Sequence, residues 1–263
     1  MNPLIEATVP RPGDTYVQSF ARGLQVVRSF SAQAPQQTLS EVAQRTGLTR
    51  AGARRILLTL QTLGYVESDG KWFRLTPRIL DLGFAYLSSM PIWNLAEPEV
   101  EALVDRVKES SSIAVLDGTE IVYVMRVPTH KIMKISLGIG SRLPAFCTSL
   151  GRVLLSGQED SEIARHLEAE PLTAFTRHTV TDPSTLLKRI QQVRRQGWCV
   201  VNQELEEGLI SVAAPLDGSH GRIIAAINLS GQANRTDARA VQEQLLPSLL
   251  ETAQTIGRLL RHK

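Results

Sequence analysis

The 263-residue chain, with 43% hydrophobic and 21% charged residues, has room for two compact domains and the composition of an ordinary globular protein. No window approaches a membrane-spanning run of apolar residues, which excludes a transmembrane helix, and the two thiols, Cys147 and Cys199, exclude a disulfide framework and fit a reducing cytoplasm. The net charge of +3 is unevenly placed: residues 1–90 hold 10 Lys+Arg against 6 Asp+Glu, the excess expected of a segment that meets a polyanion.

Residues 1–15 carry Pro3, Pro10 and Pro12 and no apolar core, and read as a disordered tail rather than a secretory signal. A first helix is predicted over 19–30, capped by Ser19, with Phe20, Leu24, Val27 and Phe30 near one face. Pro35 and the polar run Gln36-Gln37-Thr38 break the chain. A second helix starts near Ser40, capped by its hydroxyl, and Gly47 supplies the turn. Thr49 caps a third helix with Ile56, Leu57 and Leu60 as its apolar stripe. Tyr65-Val66 and Trp72-Phe73-Arg74-Leu75 flank the turn Ser68-Asp69-Gly70, a hairpin directly after that helix. Thr76-Pro77 opens a helix to Met90 that is apolar nearly all round, so part of it should pack on another chain.

Beyond Ile92 the texture becomes mixed. A helix over 97–108 precedes two β-rich runs, 112–116 and 121–127, joined at Asp117-Gly118. Another strand is predicted at 134–137, helices at 149–156, 160–168 and from Asp182-Pro183 to 196, strands at 198–201, 211–215 and 223–230, and a terminal helix over 237–261. The fold class is α+β with an antiparallel sheet in the second half.

Two helices around a glycine turn followed by a hairpin are the parts of a winged helix-turn-helix. Its candidate DNA-binding residues are Thr49 and Arg50 at the recognition-helix start, Arg54 and Arg55 behind them, and Lys71 and Arg74 on the wing. Thr49 and Arg50 are best placed for base edges, whereas Arg54 and Arg55 could read guanine or only grip phosphate. Gly52 reads either as drift or as room for close approach of backbone to DNA.

In the second half, Thr148 and Ser149 stand at a helix N-terminus, where free N–H groups favour a carboxylate, or Ser149 is simply the cap. Asn202, Glu204 and Ser211 could meet at a pocket mouth, or the glutamates around them form a solvated loop. Arg126, ending an apolar strand, is a salt-bridge residue or a counter-ion for an acidic ligand. Gly138 and Gly140 lack the third glycine and the βαβ context of a dinucleotide site. Nothing sets His166 or His178 beside Cys147, so a small buried cysteine is favoured over a nucleophile, and the spacing of Cys and His supports no metal site. His130, His220 and His262 read as surface residues. No catalytic residue, cofactor or metal is expected.

The order of parts resembles the IclR family of bacterial transcriptional regulators from about Val17 to Leu260. The stretches that carry the resemblance are Val17-Gln18-Ser19-Phe20-Ala21-Arg22-Gly23-Leu24, Leu48-Thr49-Arg50-Ala51, Gly64-Tyr65-Val66 and Leu75-Thr76-Pro77. In the second half they are Thr148-Ser149-Leu150-Gly151-Arg152-Val153-Leu154-Leu155, Gln203-Glu204-Leu205-Glu206-Glu207-Gly208-Leu209 and Ala213-Ala214-Pro215. Residues 18–23 and 203–209 are most similar to the branch regulating aromatic-acid catabolism through protocatechuate and β-ketoadipate. The resemblance implies a winged helix-turn-helix over 16–76, a linker and dimerisation helix over 77–92 and a GAF-like effector domain over 93–263. It further implies a cytoplasmic homodimer or homotetramer that binds a double-stranded DNA operator and answers to a small aromatic or dicarboxylic acid near Ser149 and residues 202–211. The competing readings are a regulator of another organic-acid pathway, a regulator controlled by a partner protein, and a metabolite-binding protein or enzyme whose first module serves assembly.

Overall fold

The computed structural model describes residues 13, 16–89, 92–129, 137–218, 221–234 and 237–261. The predicted strand at 134–137 and the surface positions His130, His220 and His262 lie wholly or mostly outside them, as does the predicted tail apart from Gly13. Contacts divide the chain into two compact units, Met1–Ser89 and Met90–Lys263.

In the first unit, α1 (Gln18–Arg28) starts one residue before the expected cap. Val17 holds the cap position without a side-chain bond, and Ser19 lies inside the first turn. The polar break is a strand, β1 (Gln36–Thr38), whose Gln36 and Thr38 pair with Arg74 and Trp72. Thr38 rather than Ser40 caps α2 (Leu39–Thr46) in a capping box. Its hydroxyl accepts from the Glu41 N–H, and the Glu41 carboxylate accepts from the Thr38 N–H at 2.7 Å. That backbone donor holds the Glu41 carboxyl below its ordinary value.

Gly47 turns the chain at φ +64, a left-handed conformation that suits a residue without a side chain. Thr49 caps α3 (Arg50–Thr62) as expected, accepting from the Gly52 N–H at 3.1 Å. Gly52 is therefore the third residue of the helix, and a Cβ there would stand 3.2 Å from the Thr49 hydroxyl. The approach is tight but is to a side chain, and Glu41 fills the equivalent position under Thr38 in α2, so the cap does not by itself demand glycine here. The hairpin of β2 (Val66–Ser68) and β3 (Trp72–Leu75) follows, its turn fixed by Asp69, which accepts from the Lys71 and Trp72 N–H groups. Val26, Val42, Ala53, Leu57, Val66 and Phe73 form the core. Thr76 does not cap the following turn: its hydroxyl donates to the Gly64 carbonyl at 2.5 Å. Pro77–Ile79 is a 3₁₀ turn, and α4 (Leu80–Ser89) buries none of its residues within the described chain.

The second unit, among the described residues, is built on a six-stranded antiparallel sheet in the order β6-β5-β4-β9-β8-β7. Its strands are β4 (Ser110–Asp117), β5 (Glu120–Val127), β6 (Arg142–Pro144), β7 (Cys199–Asn202), β8 (Leu209–Asp217) and β9 (Ile223–Gln232). Strand β6 was not expected, because three residues pairing with 120–122 are too few to show an alternating pattern. On one face lie α6 (Ser149–Ser156) and α8 (Pro183–Gln196), with α7 (Asp160–Glu168) packed on α8. The other face is covered by α5 (Ile92–Val107) and the terminal helix.

Helix α5 begins five residues before the predicted start and carries Pro98 in its interior. The carbonyl left without a partner belongs to exposed Asn94, where water can serve it. The terminal helix is not uniform: α9 (Ala238–Ala240) and α10 (Leu246–Arg261) flank a π turn at Val241–Leu245. In that turn Leu246 rather than Leu245 follows Val241 into the core, while Leu249, Thr252 and Ile256 continue the expected stripe.

All eight residues of α6 are buried. Gly151 permits this, since a Cβ there would stand 2.1 Å from the Ala145 carbonyl oxygen. Gly151→Ala should therefore destabilise the protein by roughly 3 kcal/mol or more through overpacking against backbone. Chemical denaturation checks this. A melt matching the parent would show that the Ala145–Gly151 approach relaxes freely.

Candidate functional site

Two surfaces carry the predicted site residues, one in each unit. In the first unit the start of α3 is exposed together with Arg50, Arg54 and Arg55. Arg50 and Arg54 are one helical turn apart on one flank, while Arg55 is rotated by about 100° from Arg54 and lines the groove between α1 and α3. On the wing, Lys71 is exposed with its ammonium 5.4 Å from the centroid of the Trp72 ring. Arg74 is already neutralised by its cross-strand neighbour, with Nε 2.7 Å from the Glu67 carboxylate. Of the predicted DNA-binding cations, Arg50, Arg54, Arg55 and Lys71 are exposed without an ionic partner among the described residues, and Arg74 is exposed but paired. The groove beside them is apolar, about 1010 Å³, and bordered by Phe20, Leu24, Leu63 and Leu82. Phe20 is 68% exposed and Phe84 on α4 likewise 68%.

In the second unit, Thr148 and not Ser149 is the cap of α6, accepting from the Gly151 N–H at 3.1 Å. The Ser149 hydroxyl is thereby released toward β8, where it lies 2.9 Å from the Ser211 hydroxyl. These two line a small cavity of about 30 Å³ with Tyr123, Cys147, Asn228 and Ser230. The sheet register explains the set. Ser211 pairs with Ser230, and Asn228 lies opposite both Ala213 and Ser112, so the polar side chains share one face. Asn228 is locked there, accepting from the Ser112 N–H and donating to Ser230. Burial pushes the Tyr123 phenol above its ordinary value, with Arg126 pulling the other way.

The other predicted residues part company. Arg126 shares the Tyr123 face but stacks on that ring, 5.9 Å from its centroid, and does not line the cavity. Asn202 pairs with Ile210, one residue out of phase with Val201 and Ser211, and so lies exposed on the opposite face. Glu204 borders the cavity, but its carboxylate is committed elsewhere. It is clasped at both oxygens by Arg152, with Nη1 at 2.8 Å and Nη2 at 2.6 Å, and also accepts from Arg189 at 3.2 Å and the Val180 N–H at 3.1 Å. The Arg152 and Glu204 side chains are only 2% and 5% exposed. Arg152 Nε donates to the Phe146 carbonyl at 2.7 Å. Sequence reasoning missed this pair and also Tyr123, Asn228 and Ser230. The available signal for Arg152 was a lone cation inside the apolar run Leu150–Leu155.

Cys147 is buried and its thiol is pushed up to about 12 by burial, which removes it as a nucleophile at neutral pH. Among the described residues no group of three His, Cys, Asp or Glu side chains could hold a metal ion, and no helix is long and apolar enough to cross a membrane.

Two family models match the chain: "IclR helix-turn-helix domain" over residues 19–70 and "Bacterial transcriptional regulator IclR C-terminal" over residues 84–258. The chain is 40% identical over 242 residues to the Pca regulon regulatory protein of Pseudomonas putida, covering 92% of this chain and 83% of that one. A crystal structure from Rhodococcus sp. RHA1, of a chain assigned as a transcriptional regulator, superposes with a TM-score of 0.84 at 48% identity, covering 93% of this chain and 98% of that one. An IclR homolog from Microbacterium hydrocarbonoxydans, crystallised with 4-hydroxybenzoate, superposes with a TM-score of 0.82 at 26% identity, over 93% and 100% of the two chains.

The buried pair makes a sharp expectation. Arg152→Met leaves the Glu204 carboxylate buried with only half-exposed Arg189 as ionic partner, which should cost about 3–5 kcal/mol of stability. Adding Glu204→Leu should restore most of that loss, and a double variant no more stable than the single one, in urea titrations, would overturn the assignment.

Proposed function

The chain belongs to the IclR family of bacterial transcriptional regulators, and from that premise we propose that it controls an aromatic-acid catabolic operon in response to a small carboxylic acid. The observation that carries the reading is the Ser149–Ser211 pair at the start of α6. Two hydroxyls 2.9 Å apart stand beside the first helical N–H groups, which lack partners inside the helix. That arrangement suits a carboxylate, and the apolar walls Leu143, Leu150 and Leu209 suit the rest of a ring or short chain. The similarity to a Pca regulon regulator and to a 4-hydroxybenzoate-bound homolog favours aromatic acids and their β-ketoadipate products over other organic acids.

At about 30 Å³ the cavity has room for roughly one water molecule. A ring-sized acid therefore has to bind an expanded form. Its differential affinity for that form is the free energy available to change how the protein sits on DNA. DNA contact is assigned to Thr49, Arg50, Arg54, Arg55, Lys71 and Arg74, with Arg50 reading a base edge and Lys71 holding phosphate. The exposed apolar side chains of α1 and α4 are assigned to a second copy, which gives the two recognition helices of a palindromic operator.

Fluorescence anisotropy on duplexes from upstream of the gene and its adjacent operon tests the reading, with protocatechuate, β-ketoadipate and 4-hydroxybenzoate as effectors and a scrambled duplex as control. Specific binding shifted by one of them is expected. Specific binding indifferent to all three discards the pathway. Arg50→Ala should weaken operator binding by about 1–3 kcal/mol, and an unchanged affinity would move recognition elsewhere on α3. Phe84→Glu should drive the assembly toward monomers in sedimentation velocity and weaken operator binding at least tenfold; an unaltered mass would place the dimer contact off α4.

A further inference from the structure

A second cavity in the effector unit, about 440 Å³, lies on the far side of Glu204 from the first. It is walled by α8 through Arg189, Gln192 and Gln196, by the β7 edge, and by Trp198. Its volume falls within the usual range for small-molecule sites, and its polar lining sets Arg152, Arg189, His178 and Glu204 beside several amide side chains.

Strand β7 has a pairing partner on one side only. The bond from Gln203 N–H to the Leu209 carbonyl fixes the phase of the ladder, so Cys199 and Val201 turn their main-chain groups toward β8. Val200 and Asn202, which line the cavity, turn theirs away from β8. The charge on that wall is cationic. Two guanidinium groups, Arg152 and Arg189, face one carboxylate, Glu204, whose oxygens Arg152 already occupies. Arg189 is half-exposed and makes a single 3.2 Å contact with Glu204, its one acidic partner among the described residues. Four of its five N–H donors are thus left over from that contact.

We propose that this outer cavity is a second anion site, taking a small carboxylic acid whose carboxylate sits on Arg189 and whose flat apolar body lies along Trp198. The assignment stands whatever the inner cavity binds. Because Glu204 borders both cavities, an anion that draws Arg189 away leaves the Glu204 carboxylate to Arg152 and Val180 alone. Occupancy outside is then coupled to the wall of the inner cavity, and the coupling acts equally in both directions.

Benzoate is the probe, titrated calorimetrically into the full chain. Ser211→Val is introduced to fill the inner cavity, so that the remaining binding reports the outer one. One benzoate per chain should still bind, and adding Arg189→Gln should weaken it tenfold or more. Trp198→Leu in the same Ser211→Val background should also weaken it, and provides the test should the Arg189 variant not fold. No benzoate bound by Ser211→Val, or binding untouched by a folded second substitution, would overturn the outer site. Failure of the operator reading shows separately, as effectors that leave DNA affinity unchanged.

Discussion

The second unit depends on one buried ion pair. Taking an isolated guanidinium or carboxylate out of water costs several kcal/mol per ion, and Arg152 and Glu204 are both almost fully withdrawn. That cost is offset only because nearly every site on the pair is used: two parallel bonds between them, the Phe146 carbonyl on Arg152, and Arg189 with the Val180 N–H on Glu204. The bonds come from α6, α8, the segment before α8 and the chain leaving β7. A displacement of any one of these breaks geometry at the centre. Ser149 opens the same helix that carries Arg152, so the Ser149–Ser211 contact and the ion pair share α6. The same carboxylate borders both the inner cavity of about 30 Å³ and the outer one of about 440 Å³, so the structural ion pair contributes to the wall of each.

The first unit follows a different logic. Its core is small, with seven buried side chains, and two surface features are left open: the cations at the start of α3, and the apolar faces of α1 and α4. The cations suit phosphate and guanine, since an unpaired surface guanidinium keeps its donors available. The apolar faces carry Phe, Leu and Tyr in a density that single surface residues do not reach. Arg74 differs from the others in having a cross-strand glutamate as ionic partner, though both side chains of that pair remain exposed and the pairing is weak.

Elements with a strong period or a specific stop were readable from sequence: the αL glycine at 47, the Thr49 cap, the Asp182-Pro183 start and the Asp-Gly hairpin at 117–118. What escaped depended on pairing with distant residues. β1 and β6 are strands only because β3 and β5 offer them edges, and nothing in Gln36-Gln37-Thr38 announces this. Caps shifted by one or two residues for a related reason. Ser19, Ser40 and Ser149 each sit near a helix start, but capping belongs to whichever residue holds extended backbone, and at α2 and α6 that was the threonine upstream. In the inner cavity, Ser149 and Ser211 were found by motif, whereas Asn202 fell on the opposite face by the single residue of strand alternation. Tyr123, Asn228 and Ser230 lie on strands far apart in sequence, and only the sheet register gathers them.

The two cysteines have a chemical consequence. The thiols of Cys147 and Cys199 are pushed up by burial to about 12 and about 11. At neutral pH the reactive thiolate is then roughly one part in ten thousand or rarer. Catechol-type acids oxidise readily to o-quinones, electrophiles that alkylate thiolates and would irreversibly block a binding protein carrying an exposed one. Both sulfurs border cavities proposed to hold acids, so what slows their alkylation by such electrophiles is the scarcity of thiolate rather than distance from the ligand.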